Sequence, residues 1–376
     1  MVERSYDAIV VGGGVVGSAI AYGMGKRGAK VVVLDEGDAA IRASRVNFGL
    51  VWLQTKGENM PEYGLWSRRS ADLWTPFAAE LTAISGVDPE HQQTGGVAFC
   101  LGEKELEDRR KTILRMHNQS EPWVYETEMI DRKQVQALFP ALRLGPDVVG
   151  ASYCPHDGVS NPLRLLQALH AAFARVGVDY RPDAPARSAR GDGEGFTVDT
   201  PVGTFRAGKI VLAAGHGIPA LAGTLGLEAP VVPERGQLLV TERAAPILPV
   251  AASGLRQTRD GTIMIGATRE DTDEYTTEAT TENAINLAQR AVRIAPDIAR
   301  LRMIRTWLGL RVLSPDKCPV YMESESHPGA YVAFCHSGNT LAAVHAEDLA
   351  EAFLAPGLPD RLAPFHPRRF DAQKAA

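Results

Sequence analysis

The stretch YDAIVVGGGVVGSAIAYGMGKRGAKVVVLDEG, residues 6–37, constrains the fold more than any other part of the chain. Tyr6 to Val11 is a short apolar run of the kind produced by a strand buried on both faces. Helically spaced apolar residues follow, with Gly28 as the stop signal, and then the β-branched run KVVVLD. Strand, helix and strand within about thirty residues make a βαβ unit, which predicts parallel strands and a right-handed crossover. Gly12, Gly14 and Gly17 form G-x-G-x-x-G at the mouth of the helix. The first allows the tight turn, the second lets a pyrophosphate approach the backbone, and the third lets helix and strand pack closely. Unpaired N–H groups at the helix start then favour phosphate charge. Asp35 lies 23 positions after Gly12, where a carboxylate can bond a ribose hydroxyl and disfavour a 2′-phosphate. The motif implies a dinucleotide other than NADP and leaves NAD and FAD open.

At 376 residues the chain is long for one core, which predicts two domains. A net charge of −5 argues against nucleic acid. No apolar run approaches the roughly 20 residues of a membrane span, and the N-terminus lacks the order of a signal peptide. A cytoplasmic location is expected. Cys100, Cys154, Cys318 and Cys335 form no C-x-x-C pair, so reduced thiols are expected and no metal site.

A second nucleotide-type block begins at NPLRLLQALHAAFARVG, read as a helix. VDYRP, GFTVDT and GTFRAG read as strands or a hairpin, and KIVLAAGHG as a buried strand ending in a glycine turn. Between these blocks, helices such as ELEDRRKTILRMHNQ surround the strand GGVAFCL. Alternating strands GQLLVTE and GTIMIGA then precede the helix TENAINLAQRAVRIA. The predicted fold class is α/β: a Rossmann-like cofactor domain (1–59, 147–230 and 313–376) interleaved with an α+β substrate domain (60–146 and 231–312) on a mostly antiparallel sheet.

The first βαβ run followed by RASRVNFGLV resembles the flavoprotein family of D-amino-acid oxidase, glycine oxidase and sarcosine oxidase. The likeness recurs in HDGVSNPLRLLQAL, IVLAAGHG, PERGQLL and WLGLRVLSPDKCPVY. It implies FAD. It also implies that the Ser-x-x-Asn-x-Gly turn, Ser44, Arg45, Asn47, Phe48 and Gly49, contacts the pyrophosphate and flavin. Gly12, Gly14, Val15, Val16, Gly17, Asp35, Glu36, Ala214, Gly215 and Gly309 join them as expected cofactor contacts. Arg311 is expected to clamp a substrate carboxylate, because a guanidinium offers a bidentate fork and stays charged when desolvated. Tyr275 and Gln54 are expected catalytic helpers, with Trp307, Arg256 and Lys56 as further candidates; no general base is required if hydride leaves the Cα of a neutral amine.

AFCHSGNTLAAVHAEDL resembles the catalytic β subunits of D-hydroxyproline dehydrogenase, opine (octopine and nopaline) oxidase and hydrogen cyanide synthase. That implies oxidation of the C–N bond of an amino or imino acid, with electrons passed to a partner. The partner would be an alpha subunit carrying an iron–sulfur centre and a second nucleotide, through which the chain could associate with the inner face of the membrane. A stand-alone oxygen-using oxidase, an NAD-dependent dehydrogenase and a non-catalytic FAD-binding scaffold are the alternatives. His336, Ser337, Gly338, Asn339 and Thr340 are expected at the flavin, with Ser337 either capping a helix whose free N–H groups face it or hydrogen-bonding the flavin. His345 and Asp348 are expected as an exposed helix pair, and His170 on the surface.

Overall fold

The computed structural model describes residues 5–37, 43–119, 125–272, 275 and 278–371. The run Tyr6–Val11 lies in the strand Ser5–Val11, and its side chains alternate between two cores. Ala8 and Val10 pack with the helices of one face, Ile9 and Val11 with those of the other. This double burial is why the run reads as continuously apolar. The strand pairs in parallel with Val31–Leu34 on one side and with Gly203–Leu212 on the other. Ala330–Phe334 and Val178–Arg181 extend the parallel sheet at either end. The predicted helix between the first two strands is observed at Val15–Lys26, and Gly28 follows it with φ of +89°.

GTFRAG and KIVL are one ten-residue strand rather than two elements. Its first half forms a hairpin with Phe196–Thr200 and its second half joins the parallel sheet. Gly208 inside it breaks nothing, because both halves are paired.

The second sheet is mostly antiparallel. Its longest strands, Val232–Arg243 and Met303–Leu313, run side by side with Glu234 opposite Arg311 and Gly236 opposite Gly309. Two segments depart from the sequence assignment. Val148–Cys154, placed from position 147 on the cofactor side, hydrogen-bonds to Gly96–Leu101 and Glu128–Asp131 in the second sheet. The helix Pro61–Ser85, placed with the substrate segments, buries Trp66, Trp74 and Phe77 in the core shared with the glycine-turn helix. Two-tryptophan packing outweighs chain order there. No helix among the described residues is long and apolar enough to cross a membrane.

The C-terminal run is not one regular helix. Ala342–Val344 and Ala350–Leu354 flank a π-turn over His345–Leu349. His345 is fully buried, its Nε2 2.7 Å from the Tyr321 hydroxyl, while Asp348 pairs with Arg69. The expected exposed pair is therefore replaced by one core histidine and one surface ion pair. His345 is buried because the run 341–346 is enclosed on every face.

Candidate active site

Gly12 has φ of +110°, and a Cβ there would lie 2.6 Å from the Ala213 carbonyl oxygen; one on Gly17 would lie 2.1 Å from the Gly12 oxygen. Neither position admits a side chain, so the turn sits against the neighbouring strand end. Asp35 steadies the turn by accepting from Gly13 N at 2.6 Å and Gly37 N at 3.0 Å. His170 is not a surface group. Its Nε2 lies 3.0 Å from the Gly13 oxygen and 3.1 Å from Ser18 Oγ, because its helix packs on the glycine-turn helix.

A cavity of about 990 Å³ starts at this turn. Gly12, Gly14, Val15, Val16, Asp35 and Glu36 line its beginning. Ser44, Asn47 and Phe48 form one wall, and Ala214, Gly215 and Gly309 another. His336, Ser337, Gly338, Asn339 and Thr340 border it farther on, and Gln54, Tyr275 and Arg311 also line it. Gly17, Arg45, Gly49, Trp307 and Arg256 do not. Gly17 and Gly49 act from behind: Gly49, at φ +87°, lies over Arg256, whose Nη1 donates to the Phe48 oxygen at 2.8 Å. Arg256 thus holds the wall instead of facing the cavity. At Gly309 a Cβ would meet Val46 Cγ2 at 1.9 Å, so the Ser44–Gly49 segment can approach the second sheet only over a glycine.

Gln54 is fully buried with its amide committed. Its Nε2 donates to the Gly96 oxygen (3.0 Å) and Asp157 Oδ2 (2.8 Å), and Ser152 Oγ donates to its Oε1. It cannot serve as a free catalytic helper; it fixes the loop. Burial pushes the Asp157 carboxyl up to about 7 even though Leu53 N and Gln54 donate to it. Thr55 follows with φ of +66°, a conformation costly for a side-chain-bearing residue, and Lys56 comes next in the cavity wall. Lys56 Nζ donates to Ser337 Oγ at 2.5 Å and sits 5.3 Å from the centre of the Tyr63 ring. Desolvation lowers its ammonium to about 8. Tyr63 also donates to Ser337 Oγ, at 2.8 Å. With two donors on that oxygen, the Ser337 proton must point elsewhere, to His336 Nδ1 at 3.4 Å or into the cavity.

Ser337 therefore does not cap a helix with its side chain. Leu341 N donates to the Ser337 carbonyl, and Ala342 N and Val344 N are likewise paired. The expected row of free helix N–H groups shrinks to the turn itself. Asn339 and Thr340 clamp the strand Leu50–Val51 and its neighbour: Asn339 Nδ2 donates to the Leu50 oxygen, and Trp52 N donates to Thr340 Oγ1. Burial raises the Cys335 thiol to about 12 and keeps His336 neutral, so this triplet is no nucleophile–base pair.

Arg311 projects from Met303–Leu313 with 19% of its side chain exposed. Its Nη1 donates to Glu234 Oε1 at 2.6 Å and the Arg235 oxygen at 3.1 Å, and its Nη2 to the Thr268 oxygen at 2.7 Å. Lys317 holds the other oxygen of Glu234 at 3.1 Å. Nε and one Nη2 hydrogen remain, enough for a carboxylate. Sequence reasoning missed Glu234, whose only signal is a strand register that one sequence does not reveal. Tyr275 stands at the mouth, 60% exposed, edge-on to His216.

A parallel sheet that feeds a glycine turn, opening on a cavity walled by a second, mostly antiparallel sheet, is the arrangement of a dinucleotide-binding protein. The chain belongs to the FAD dependent oxidoreductase family, whose model it matches over residues 7–352. It is 42% identical to an opine oxidase subunit of Agrobacterium tumefaciens (strain Ach5), over 98% of this chain and 99% of that protein. The corresponding opine oxidase subunit of Rhizobium meliloti is 40% identical with the same coverage. The structure superposes on glycine oxidase from Geobacillus kaustophilus with a TM-score of 0.85 at 26% identity, covering 96% and 98% of the two chains. The cofactor is FAD, and the turn at Gly12 and Gly17, where no Cβ fits, suits its pyrophosphate.

Proposed function

We propose that the chain oxidises the C–N bond of an amino or imino acid, a D-amino acid, D-proline or hydroxyproline, an N-substituted amino acid or an opine. The reading rests on one observation above all: the cavity that begins at the phosphate-type turn also reaches Arg311, whose guanidinium has two donors left. The relatives named as opine oxidase and glycine oxidase support the substrate class.

Gly12, Gly14, Val15, Val16 and Ser44 would hold the pyrophosphate, with Gly17 closing the turn behind them. Asp35 and Glu36 would meet the ribose end. Asn47, Phe48, Ala214, Gly215 and Gly309 would border the flavin with the turn 336–340, while Arg45 and Gly49 support that wall. Bound FAD would supply a hydride acceptor. Arg311 would orient the substrate by its carboxylate, and proximity then contributes a large part of the rate. Leu238 and Ile265 give this end of the cavity an apolar lining that disfavours water. Loss of hydride from Cα and a proton from nitrogen leaves an imine, which water hydrolyses to an oxo acid and an amine.

The chain would act as a dehydrogenase subunit, its electrons leaving through a partner that carries an iron–sulfur centre and a second nucleotide. The opine oxidase relatives are named as subunits, and so is the sarcosine oxidase relative from Arthrobacter, which supports a multi-subunit assembly. Anaerobic mixing of the FAD-loaded chain with D-amino acids, D-proline, N-methyl amino acids and opines tests the reaction. Bleaching of the flavin is expected with at least one of these classes, and none would refute it. Repeating the positives in air with a peroxide readout separates a dehydrogenase from an oxidase.

A further inference from the structure

Arg311 is held by groups that themselves stand outside the cavity. Its Nη1 donates to Glu234 Oε1 at 2.6 Å, and Glu234 Oε2 accepts from Lys317 Nζ at 3.1 Å. Lys317 sits in the loop that joins Met303–Leu313 to Val320–Glu323, with φ of +63°, a backbone conformation that favours glycine. The loop is braced around Asp316. Arg369, from the C-terminal turn Pro367–Phe370, donates Nε to Asp316 Oδ2 at 2.7 Å and Nη2 to Asp316 Oδ1 at 3.0 Å. Arg369 Nη2 also meets the Pro319 oxygen at 3.0 Å, and Cys318 N donates to Asp316 Oδ1 at 3.0 Å. Ser314 Oγ lies 2.8 Å from Asp316 Oδ1 and 2.6 Å from the Cys318 oxygen. Glu234, Asp316, Lys317 and Arg369 all lie outside the cavity wall.

Glu234 is buried, and among the described residues its two oxygens meet two cations, one each. A buried carboxylate oxygen left unanswered is unfavourable. Without Lys317, Oε2 would turn to Arg311, and a bidentate Glu234–Arg311 pair would take a second hydrogen from the guanidinium fork. Once Glu234, Arg235 and Thr268 are served, that fork keeps only Nε–H and one Nη2 hydrogen, and a substrate carboxylate needs both. Lys317 therefore decides whether Arg311 stays open or becomes half of an internal ion pair. Lys317 is itself half exposed, so water competes for its ammonium, and the brace at Asp316 holds the loop that aims it at Glu234.

We infer that Lys317, propped by the Arg369–Asp316 brace, is a positioning residue: by occupying one oxygen of Glu234 it keeps the Arg311 fork open for the substrate carboxylate. This rests on the reading of Arg311 as the carboxylate anchor.

Acetate binding to the FAD-loaded protein without oxygen, followed by the flavin absorbance, reads the state of the fork. Lys317→Met should weaken acetate about tenfold, the size of one charge-assisted contact, and Lys317→Arg should restore it to within about threefold. In a Glu234→Gln background, Lys317→Met should change the affinity by less than about twofold, because no carboxylate remains to capture Arg311. An equal loss in both backgrounds would mean that Lys317 acts by its charge alone, and unchanged affinity in the single variant would mean that it does not act; either overturns the inference. Arg369→Gln should reproduce the Lys317→Met loss and add little to it in the double variant. If Arg369→Gln does not fold, Asp316→Asn, which keeps an acceptor and drops the charge, carries the same expectation. Wild-type affinity in the folded brace variant overturns the brace. Acetate that binds Arg311→Met as tightly as wild type removes the anchor reading itself. Loss in Arg311→Met with wild-type binding in Lys317→Met removes only the positioning role.

Discussion

Replacing Arg311 by methionine removes three hydrogen bonds and leaves Glu234, 3% exposed, with Lys317 as its only cation among the described residues. Stripping one partner from a buried pair typically costs about 3–5 kcal/mol. Lys317 is half exposed and answers part of the charge, so about 2–3 kcal/mol of stability should be lost. Substrate affinity should fall by about a hundredfold or more, because a bidentate charge-assisted clamp disappears. Urea unfolding of the FAD-loaded protein measures the first effect and flavin-monitored carboxylate binding the second. Glu234→Gln separates them. It removes the counter-charge but keeps an acceptor, so stability should fall by about 1–2 kcal/mol while carboxylate binding holds or tightens. The double variant should recover part of the stability lost by Arg311→Met but none of the binding. Wild-type binding in Arg311→Met would refute the anchor. Unchanged stability would refute the buried pair.

Three further outcomes follow from the geometry. Gly17→Ala puts a Cβ 2.1 Å from the Gly12 oxygen, so the purified protein should carry little flavin; a full flavin complement would contradict the tight turn. Thr55→Gly relieves a φ of +66° but adds chain entropy and loses the Oγ bond to the Gln54 oxygen, so stability should change by less than about 1 kcal/mol; alanine, which keeps the strain, should be the worse substitution. Burial holds His345 neutral down to about 3. The unfolded chain takes up this proton below about 6.5, so the stability present above that pH is lost on acidification at about 1.4 kcal/mol per unit. His345→Gln should flatten that acid limb by one proton. Asp157 runs the opposite way, its raised value near 7 costing stability as pH climbs from about 4.

Local chemistry was readable where function is built from consecutive residues. The first strand and the glycine turn carry their meaning in a few adjacent positions. Features that depend on which distant segments meet were not readable. Glu234 faces Arg311 only because of the register between two strands, Gln54 is absorbed by Ser152 and Asp157, and His170 reaches Gly13 across 157 positions. His345 misled because the segment 341–346 is buried all round and Tyr321, 24 positions earlier, supplies its partner.

Single-turnover mixing of the FAD-loaded protein with a substrate amine, protiated or deuterated at Cα and without oxygen, tests the central claim most directly. The account predicts that the flavin bleaches and that deuterium slows the bleaching. A flavin that stays oxidised with every amine, or bleaches at the same rate from both isotopologues, would contradict it.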